Sequence, residues 1–541
     1  MLPSPTSSPA SREMLRNRTN TPKRTRKPSL LDFPTPPPDS EKKAKKRVAA
    51  EVKGNPSKKA KVVVDDPFID EESEESDVDE EEEGSDDDVV EAIRAKRNTV
   101  GRVTNSRVYR HASVYNTMNV VTRPILQTFV SSSKSDVYKS TSNATANDLT
   151  PPYACAFSNG SKAGKSTLLA VATEEGSIHV LDTKPRSDWD CEPQRVTIQP
   201  HDNGIFAVQW NKSDTLLASC SGDHSARISC LEKEETIHVL RGHTATVKCV
   251  TWDPTHQDLL TTGGRDGTIC LWDLRAGEQR RQEGDSSFIE PVITILGAHD
   301  EGGSVGKPRP RRKKNVPIPR SITNVLYPER QPYGLVSSGS SDGVLRCWDL
   351  RLPTPGKKGK TTKPKITSPV HASPIDPTTL HGSRRPRGII SLTAGFGPSE
   401  GLLFGLGADF KVHTYALPTL ANIPVDYKHQ NLQATSFSIG LSTSPCGQWL
   451  ACGSSGQNGS CFLFDIKNAA RPFYNSHSLG TGVELRGQRG DICAVDWSSE
   501  SLATCADDGT IRLWRPDLVT YRECQEQPEE KQWEWAWSHH Y

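Results

Sequence analysis

His243 and Asp266 flank the hydroxyl pair Thr261–Thr262, and His299 and Asp342 flank Ser337–Ser338 in the same way. A histidine, a carboxylate and a hydroxyl are the residue types of acid–base or metal chemistry. A second stretch, "NGSKAGKST" from Asn159, has the flavour of a phosphate-cradling loop. A third kind of chemistry needs no catalysis. "LLTTGGRDGTICLWDLR" (Leu259–Arg275) and "LVSSGSSDGVLRCWDLR" (Leu335–Arg351) both end in Trp-Asp-Leu-Arg. An arginine there offers a planar, permanently charged fork of N–H donors, the geometry that grips carboxylates and carbonyls.

The elements that carry these residues decide among the readings. From about residue 150 short apolar runs alternate with Gly, Asp, Asn and Ser turns, and helical periodicity is nearly absent. An acidic or amide turn residue recurs with a large residue six positions later: Glu175 and Leu181, Asp223 and Ser229 (a small residue in that slot), Asp266 and Trp272, Asp342 and Trp348, Asp409 and Tyr415, Asn458 and Phe464, Asp508 and Trp514. The spacing matches a propeller blade of about 40–45 residues with Gly-His near its start and Trp-Asp near its end. Two gaps are longer, and each holds a basic, Pro-rich insertion, near 301–320 and 352–387. The expected fold is all-β, a seven-bladed WD40 β-propeller over 150–516. In such a blade the Asp accepts from the early His, the His ties to a Ser or Thr hydroxyl, and that hydroxyl meets the Trp indole. His243, Asp266, His299, Asp342, Asp508 and Trp514 are therefore assigned to structural networks rather than to catalysis. Thr261 or Thr262, and Ser337 or Ser338, would supply the hydroxyl. A ring needs closure, and "RPILQTFVS" (Arg123–Ser131), in a linker over 107–149, is the candidate to pair with the blade of Trp514.

The phosphate-loop reading fails on spacing. Gly160 and Gly164 enclose three residues where the pattern needs four. The next stretch, "LLAVATEEGSIHVLDT", reads as a hairpin, so a surface turn is expected. With no nucleophile elbow and no metal-ligand pair at useful spacing, the expectation is a noncatalytic protein without metal or cofactor.

The net charge of +1 hides strong segregation. The first 62 residues are basic and rich in Pro, Ser and Thr, while 65–88 are dominated by Asp and Glu. Residues 1–106 thus read as a disordered N-terminal extension. Its runs "KRTRK" (23–27) and "KKAKKR" (42–47) suit nuclear import and at most weak, nonspecific DNA contact. Ser4, Ser8, Thr21 and Thr35 precede Pro and fit proline-directed phosphorylation. "KPSLLDFP" (27–34) has part of a clamp-binding box. All thirteen Cys lie after residue 150 in strand-like runs, without signal-peptide or membrane-spanning character, which predicts reduced thiols in an intracellular protein. The short tail 517–541 ends "KQWEWAWSHHY", placing Trp533, Trp535 and Trp537 on one face of an extended strand.

The ordered text goes beyond generic blades. "PPYACAFSNG" and "LLAVATEEGSIHVLDT" (151–183), "LLASCSGDHSARIS" (216–229), "GHTATVKCVTWDPTHQDLLTTGGRDGTICLWDLR" (242–275), "GAHD" with its basic insertion (297–320), "GIISLTAGFGPSEGLLFGLGADFKVHTY" (388–415), "FSIGLSTSPCGQWLACGSSG" (437–456) and "ICAVDWSSESLATCADDGTIRLW" (492–514) occur in that order. This resembles the denticleless family, the WD40 substrate receptors of cullin-4 RING ubiquitin ligases. The resemblance implies a nuclear, noncatalytic ligase subunit. Its boxes Trp272, Asp273, Arg275 and Trp348, Asp349, Arg351 would dock on the ligase adaptor, the large damaged-DNA-binding subunit. Substrates would be replication-licensing or cell-cycle proteins, some held by the sliding clamp PCNA on chromatin, bound at the opposite rim. Arg384, Arg385 and Arg387 of "GSRRPRG" are candidates there for an acidic partner. The animal members carry a long C-terminal tail that has no counterpart in 517–541. The alternative is a WD40 scaffold of chromatin or ribosome biogenesis with no ligase link.

Overall fold

The computed structural model describes residues 122–539 except 144, 146–147, 187–194, 280–286, 301–318, 330, 352–364, 367, 381–384, 437 and 472–480, and all of these belong to the unit spanning 86–541. The N-terminal extension, residues 27–34, most of the 301–320 insertion and half of the 352–387 stretch lie outside the described residues.

Seven antiparallel blades form the fold. Their inner strands are Pro152–Phe157, Ile205–Trp210, Val247–Trp252, Ile322–Leu326, Ile389–Ala394, Leu441–Thr443 and Ile492–Trp497. The middle strands are buried on both faces because each blade packs between two others. Leu259–Gly264 and Gly334–Gly339 are buried over their last five residues, which is why they read as unbroken apolar or small runs. In five blades the tight turn between the middle strands carries an Asp; Glu175 and Asn458 stand there in the first and sixth. In the third blade Asp266 Oδ1 accepts from the Thr268 amide at 3.0 Å and its hydroxyl at 2.7 Å. Gly267 follows at φ +73°, where a Cβ would lie 2.9 Å from the Arg320 carbonyl.

Neighbouring blades are tied by large side chains at the ends of inner strands. The indoles of Trp210, Trp252 and Trp497 donate to the carbonyls of Ala156, Gln209 and Ser442 in the preceding blade, at 2.9, 3.3 and 3.1 Å. Between the seventh and first blades the Phe157 amide donates to Asp496 at 2.8 Å.

The last blade closes with N-terminal chain. Phe129 and Val130 pair with Pro516 and Arg515, and Val137–Lys139 continues along Arg512–Thr510. Arg123–Gln127, part of the segment expected to pair, is instead a helix with Pro124 in its first turn, where a missing amide hydrogen costs nothing. The C-terminus is not a loose tail. A helix at Leu518–Glu526, capped by Asp517, leads to a strand at Trp535–His539. That strand lies between Val483–Arg486 and Phe129–Ser132 and fuses the sixth and seventh blades into one sheet. Trp533, expected to share a face with Trp535 and Trp537, sits in the turn before the strand and is 79% exposed.

The stretch 352–387, expected to be one insertion, contains blade strands. Lys365–Ile366 adds in parallel to Ile293–Ile295, the outer strand of the third blade. His371–Ala372 then returns to pair with Arg346 and Cys347 as the outer strand of the fourth. The chain leaving Arg351 thus straps the third and fourth blades together.

Candidate functional site

The His and Asp residues that invited a catalytic reading sit in closed hydrogen-bond networks. In the third blade His243 Nε2 meets the Thr262 hydroxyl at 2.8 Å, the Trp272 indole donates to that hydroxyl at 2.8 Å, and His243 Nδ1 lies 3.1 Å from Asp266. In the fourth, His299 Nε2 and the Trp348 indole both meet the Ser337 hydroxyl at 2.9 Å. Thr262 and Ser337 are therefore the linking hydroxyls. Thr261 bonds Tyr327 instead, and Ser338 bonds Thr323.

The two networks differ at one third-strand position. Thr262 pairs with Cys270, and Ser337 pairs with Arg346. Arg346 contacts His299 Nδ1 and lies 3.5 Å from Asp342, while Asp342 stands 3.9 Å from the imidazole. Burial, together with the Arg346 charge, lowers the His299 pKa despite Asp342. In the third blade burial again opposes the cation, but the Cys270 sulfur and the Asp266 carboxylate outweigh it and push His243 up to about 10. The seventh blade has no such histidine: Gln488 takes the place, receiving the Thr504 hydroxyl at 2.5 Å, and the Trp514 indole donates to Thr504 at 3.0 Å. Asp508 there accepts from Thr510 at 2.6 Å.

The arginines are different in kind. Arg275 folds back on Asp273, with Nε to Oδ1 at 2.9 Å and Nη2 to Oδ2 at 2.9 Å; Arg351 does the same on Asp349, at 3.0 and 2.7 Å. These bonds hold both carboxylates below their ordinary pKa. The Arg275 and Arg351 side chains remain 66% and 61% exposed. Each is a preoriented cation with N–H groups left for a partner. Trp272 and Trp348 are 0% and 2% exposed, so they present no surface to a partner and contribute by holding the strand. Asp273 and Asp349 aim the arginines.

Both arginines follow the third strand of their blade, while Arg385 and Arg387 precede the inner strand of the fifth. In a four-stranded antiparallel blade those two points lie on opposite faces. Arg385 and Arg387 are exposed, and the Arg387 amide donates to the Thr378 hydroxyl at 3.0 Å. Arg384 lies outside the described residues.

Sequence comparison of the two endings missed what stands beside each arginine. Leu260 pairs with Trp272, but Leu335 pairs with Trp348, so the two seventeen-residue stretches are out of register by one in space. The Leu274 amide donates to the Asp258 carbonyl, and the Leu350 amide donates to the Tyr333 carbonyl. Asp258 and Tyr333 are thus equivalent. Asp258 lies 3.8 Å from the Arg275 guanidinium, whereas the Arg351 guanidinium lies over the Tyr333 ring, 4.9 Å from its centroid.

The phosphate-loop decoy is already filled. Asp214 accepts from the Asn159 and Gly160 amides at 2.8 and 2.7 Å, at the start of the one-turn helix Asn159–Lys162. A carboxylate occupies the place a phosphate would need. Cys249, Cys270, Cys347, Cys461 and Cys493 are buried free thiols. No described helix is long and apolar enough to cross a membrane.

The architecture defines a WD40 propeller, and the WD40 repeat family (WD domain, G-beta repeat) matches residues 192–228, 234–273 and 480–515. Denticleless protein homolog B of Xenopus laevis is 30% identical over 385 residues, covering 68% of this chain and 48% of the relative. The human denticleless protein homolog is 27% identical over 381 residues, 68% of this chain and 46% of the relative. Cell division cycle protein cdt2 of Schizosaccharomyces pombe is 29% identical over 383 residues, 68% of this chain and 69% of the relative. The chain belongs to the denticleless family. It spans about half the length of the animal relatives it matches.

Proposed function

We propose that this chain is the substrate receptor of a nuclear cullin-4 RING ubiquitin ligase, a noncatalytic subunit that docks on the ligase adaptor through Arg275 and Arg351. It would present replication-licensing or cell-cycle proteins, some bound to PCNA, for ubiquitination and degradation. The observation that carries this reading is the pair of exposed guanidiniums, each braced by an Asp two residues before it, at the same end of adjacent blades. A propeller needs neither arginine to fold. Family membership supports a cell-cycle role, and the basic runs at 23–27 and 42–47 support nuclear import. Substrate recognition is assigned to the face that bears Arg385 and Arg387, with Arg384 beside them in sequence.

The test is co-purification of the adaptor with wild type and with an Arg275→Ala/Arg351→Ala double variant. The expected result is adaptor with wild type and a loss of roughly 100-fold in affinity in the variant, with unchanged melting. A wild type that captures no adaptor overturns the ligase reading and favours a WD40 scaffold without a ligase link. Full retention in the variant overturns the two-arginine mechanism.

A further inference from the structure

Resting on that reading, we propose that Tyr333 is the positioning residue for Arg351: its ring fixes the guanidinium that the partner meets, a role with no counterpart at Arg275. Tyr333 is held from three sides. Its carbonyl receives the Leu350 amide at 3.0 Å, so its loop is pinned to the strand ending that carries Arg351. One neighbour of the ring is the Arg351 guanidinium, 4.9 Å from its centroid. The other is the His256 imidazole of the third blade, at 6.2 Å and 35°. His256 is itself fixed, its amide donating to Asp253 at 3.0 Å and its ring meeting the Thr255 hydroxyl at 2.9 Å. One aromatic ring therefore links the loop ends of the two blades that carry the arginines.

The second hold on Arg351 is the Asp349 carboxylate, which fixes the guanidinium at one edge. The Tyr333 ring fixes its plane, because a cation prefers the electron-rich face of an aromatic ring. Between them they determine where the remaining N–H groups point. Beside the pair lies a cavity of about 230 Å³, walled by Tyr333, Trp348, Val370 and His371. A carboxylate or carbonyl that engages Arg351 is thereby met by a donor fork of fixed orientation at the lip of a recess. At the equivalent position in the third blade, Asp258 adds a second carboxylate near Arg275 and offers its guanidinium no ring face.

The experiment uses the full chain and two readouts. The first is the rate at which phenylglyoxal modifies Arg351 and Arg275, followed by peptide mass spectrometry in the absence of any partner. The second is affinity for the purified adaptor. Tyr333→Ala is expected to raise the modification rate of Arg351 about two- to five-fold, the worth of a cation–π contact at an exposed site, with Arg275 unchanged. It is expected to weaken adaptor binding by a similar factor. Tyr333→Phe, which keeps the ring, restores both to wild-type values, and Tyr333→Ala adds no loss of affinity in an Arg351→Ala background. An unchanged Arg351 rate in Tyr333→Ala overturns the inference, as does a loss of affinity that persists undiminished in the Arg351→Ala background. If Arg351 modification responds as expected but wild type binds no adaptor, the ligase reading falls while the positioning role stands.

Discussion

The third and fourth blades say nearly the same thing in sequence and build nearly the same Arg–Asp fork, yet they differ at two positions around it. Inside, the third strand carries Cys270 in one and Arg346 in the other, and the histidine network changes its charge accordingly. At the rim, Asp258 stands where Tyr333 stands, and the exposed arginine faces an acid in one blade and an aromatic ring in the other. The shared features are those a blade needs. The differing ones change the charge around the fork, inside at Cys270 and Arg346 and at the rim at Asp258 and Tyr333.

The largest expected effect tests the shared part. Trp272→Ala and Trp348→Ala each remove a buried indole and leave the hydroxyl it bonds, Thr262 or Ser337, with its histidine partner alone. Each should cost about 3–5 kcal/mol, read as a fall in the denaturant midpoint. If the blades are equivalent supports, the two losses agree within about 1 kcal/mol. A much smaller loss at Trp348 would show that the strap, running from Lys365–Ile366 on the third blade to His371–Ala372 on the fourth, holds the fourth blade without its indole.

The internal difference predicts opposite pH dependence. His243 is raised to about 10, above its ordinary value near 6.5, so its contribution is fully present below pH 6.5 and is lost as pH rises toward 10. His299 is lowered, so the folded state favours the neutral ring, and stability is lost as pH falls below about 6.5. His243→Gln should therefore flatten the alkaline side of a plot of melting temperature against pH. His299→Gln should flatten the acid side. The alkaline loss runs at no more than about 1.4 kcal/mol for each pH unit between about 6.5 and about 10. Identical pH profiles for the two variants would remove the charge distinction assigned to Cys270 and Arg346.

The legibility of each feature in the sequence depends on what sets it. Blade count, the His–Asp–Trp pattern and the Arg endings were legible because turn residues and large buried residues recur at a period the backbone imposes. The linking hydroxyl stayed ambiguous between Thr261 and Thr262, and between Ser337 and Ser338, because adjacent hydroxyls on a doubly buried strand leave no alternation to read. The structure resolves it differently in the two blades, with one more residue between Ser337 and Trp348 than between Thr262 and Trp272. That slip hid the equivalence of Asp258 and Tyr333. The outer strands at Lys365–Ile366 and His371–Ala372 were hidden for another reason: two-residue strands in basic, Pro-rich text carry no periodicity. The C-terminal strand was visible as an extended stripe, but its partners lie far away in sequence, at Val130 and Leu485.

The smallest expected effect sharpens the comparison at the rim. Arg275 shares its charge with two carboxylates, Asp273 and Asp258, whereas Arg351 faces one carboxylate and an aromatic ring. A partner acid approaching Arg275 must overcome the field of Asp258; one approaching Arg351 meets no second acid in the equivalent place. Taken singly, Arg351→Ala should therefore weaken adaptor affinity more than Arg275→Ala does, by about three- to ten-fold. Asp258→Asn should narrow that gap by strengthening the Arg275 contact about two-fold, and the gain should shrink at high salt because an exposed charge is screened. Affinities of the three variants measured at two ionic strengths decide the matter. If Asp258→Asn weakens binding instead, Asp258 holds Arg275 in place as Tyr333 holds Arg351, and the two rims differ in chemistry but not in role.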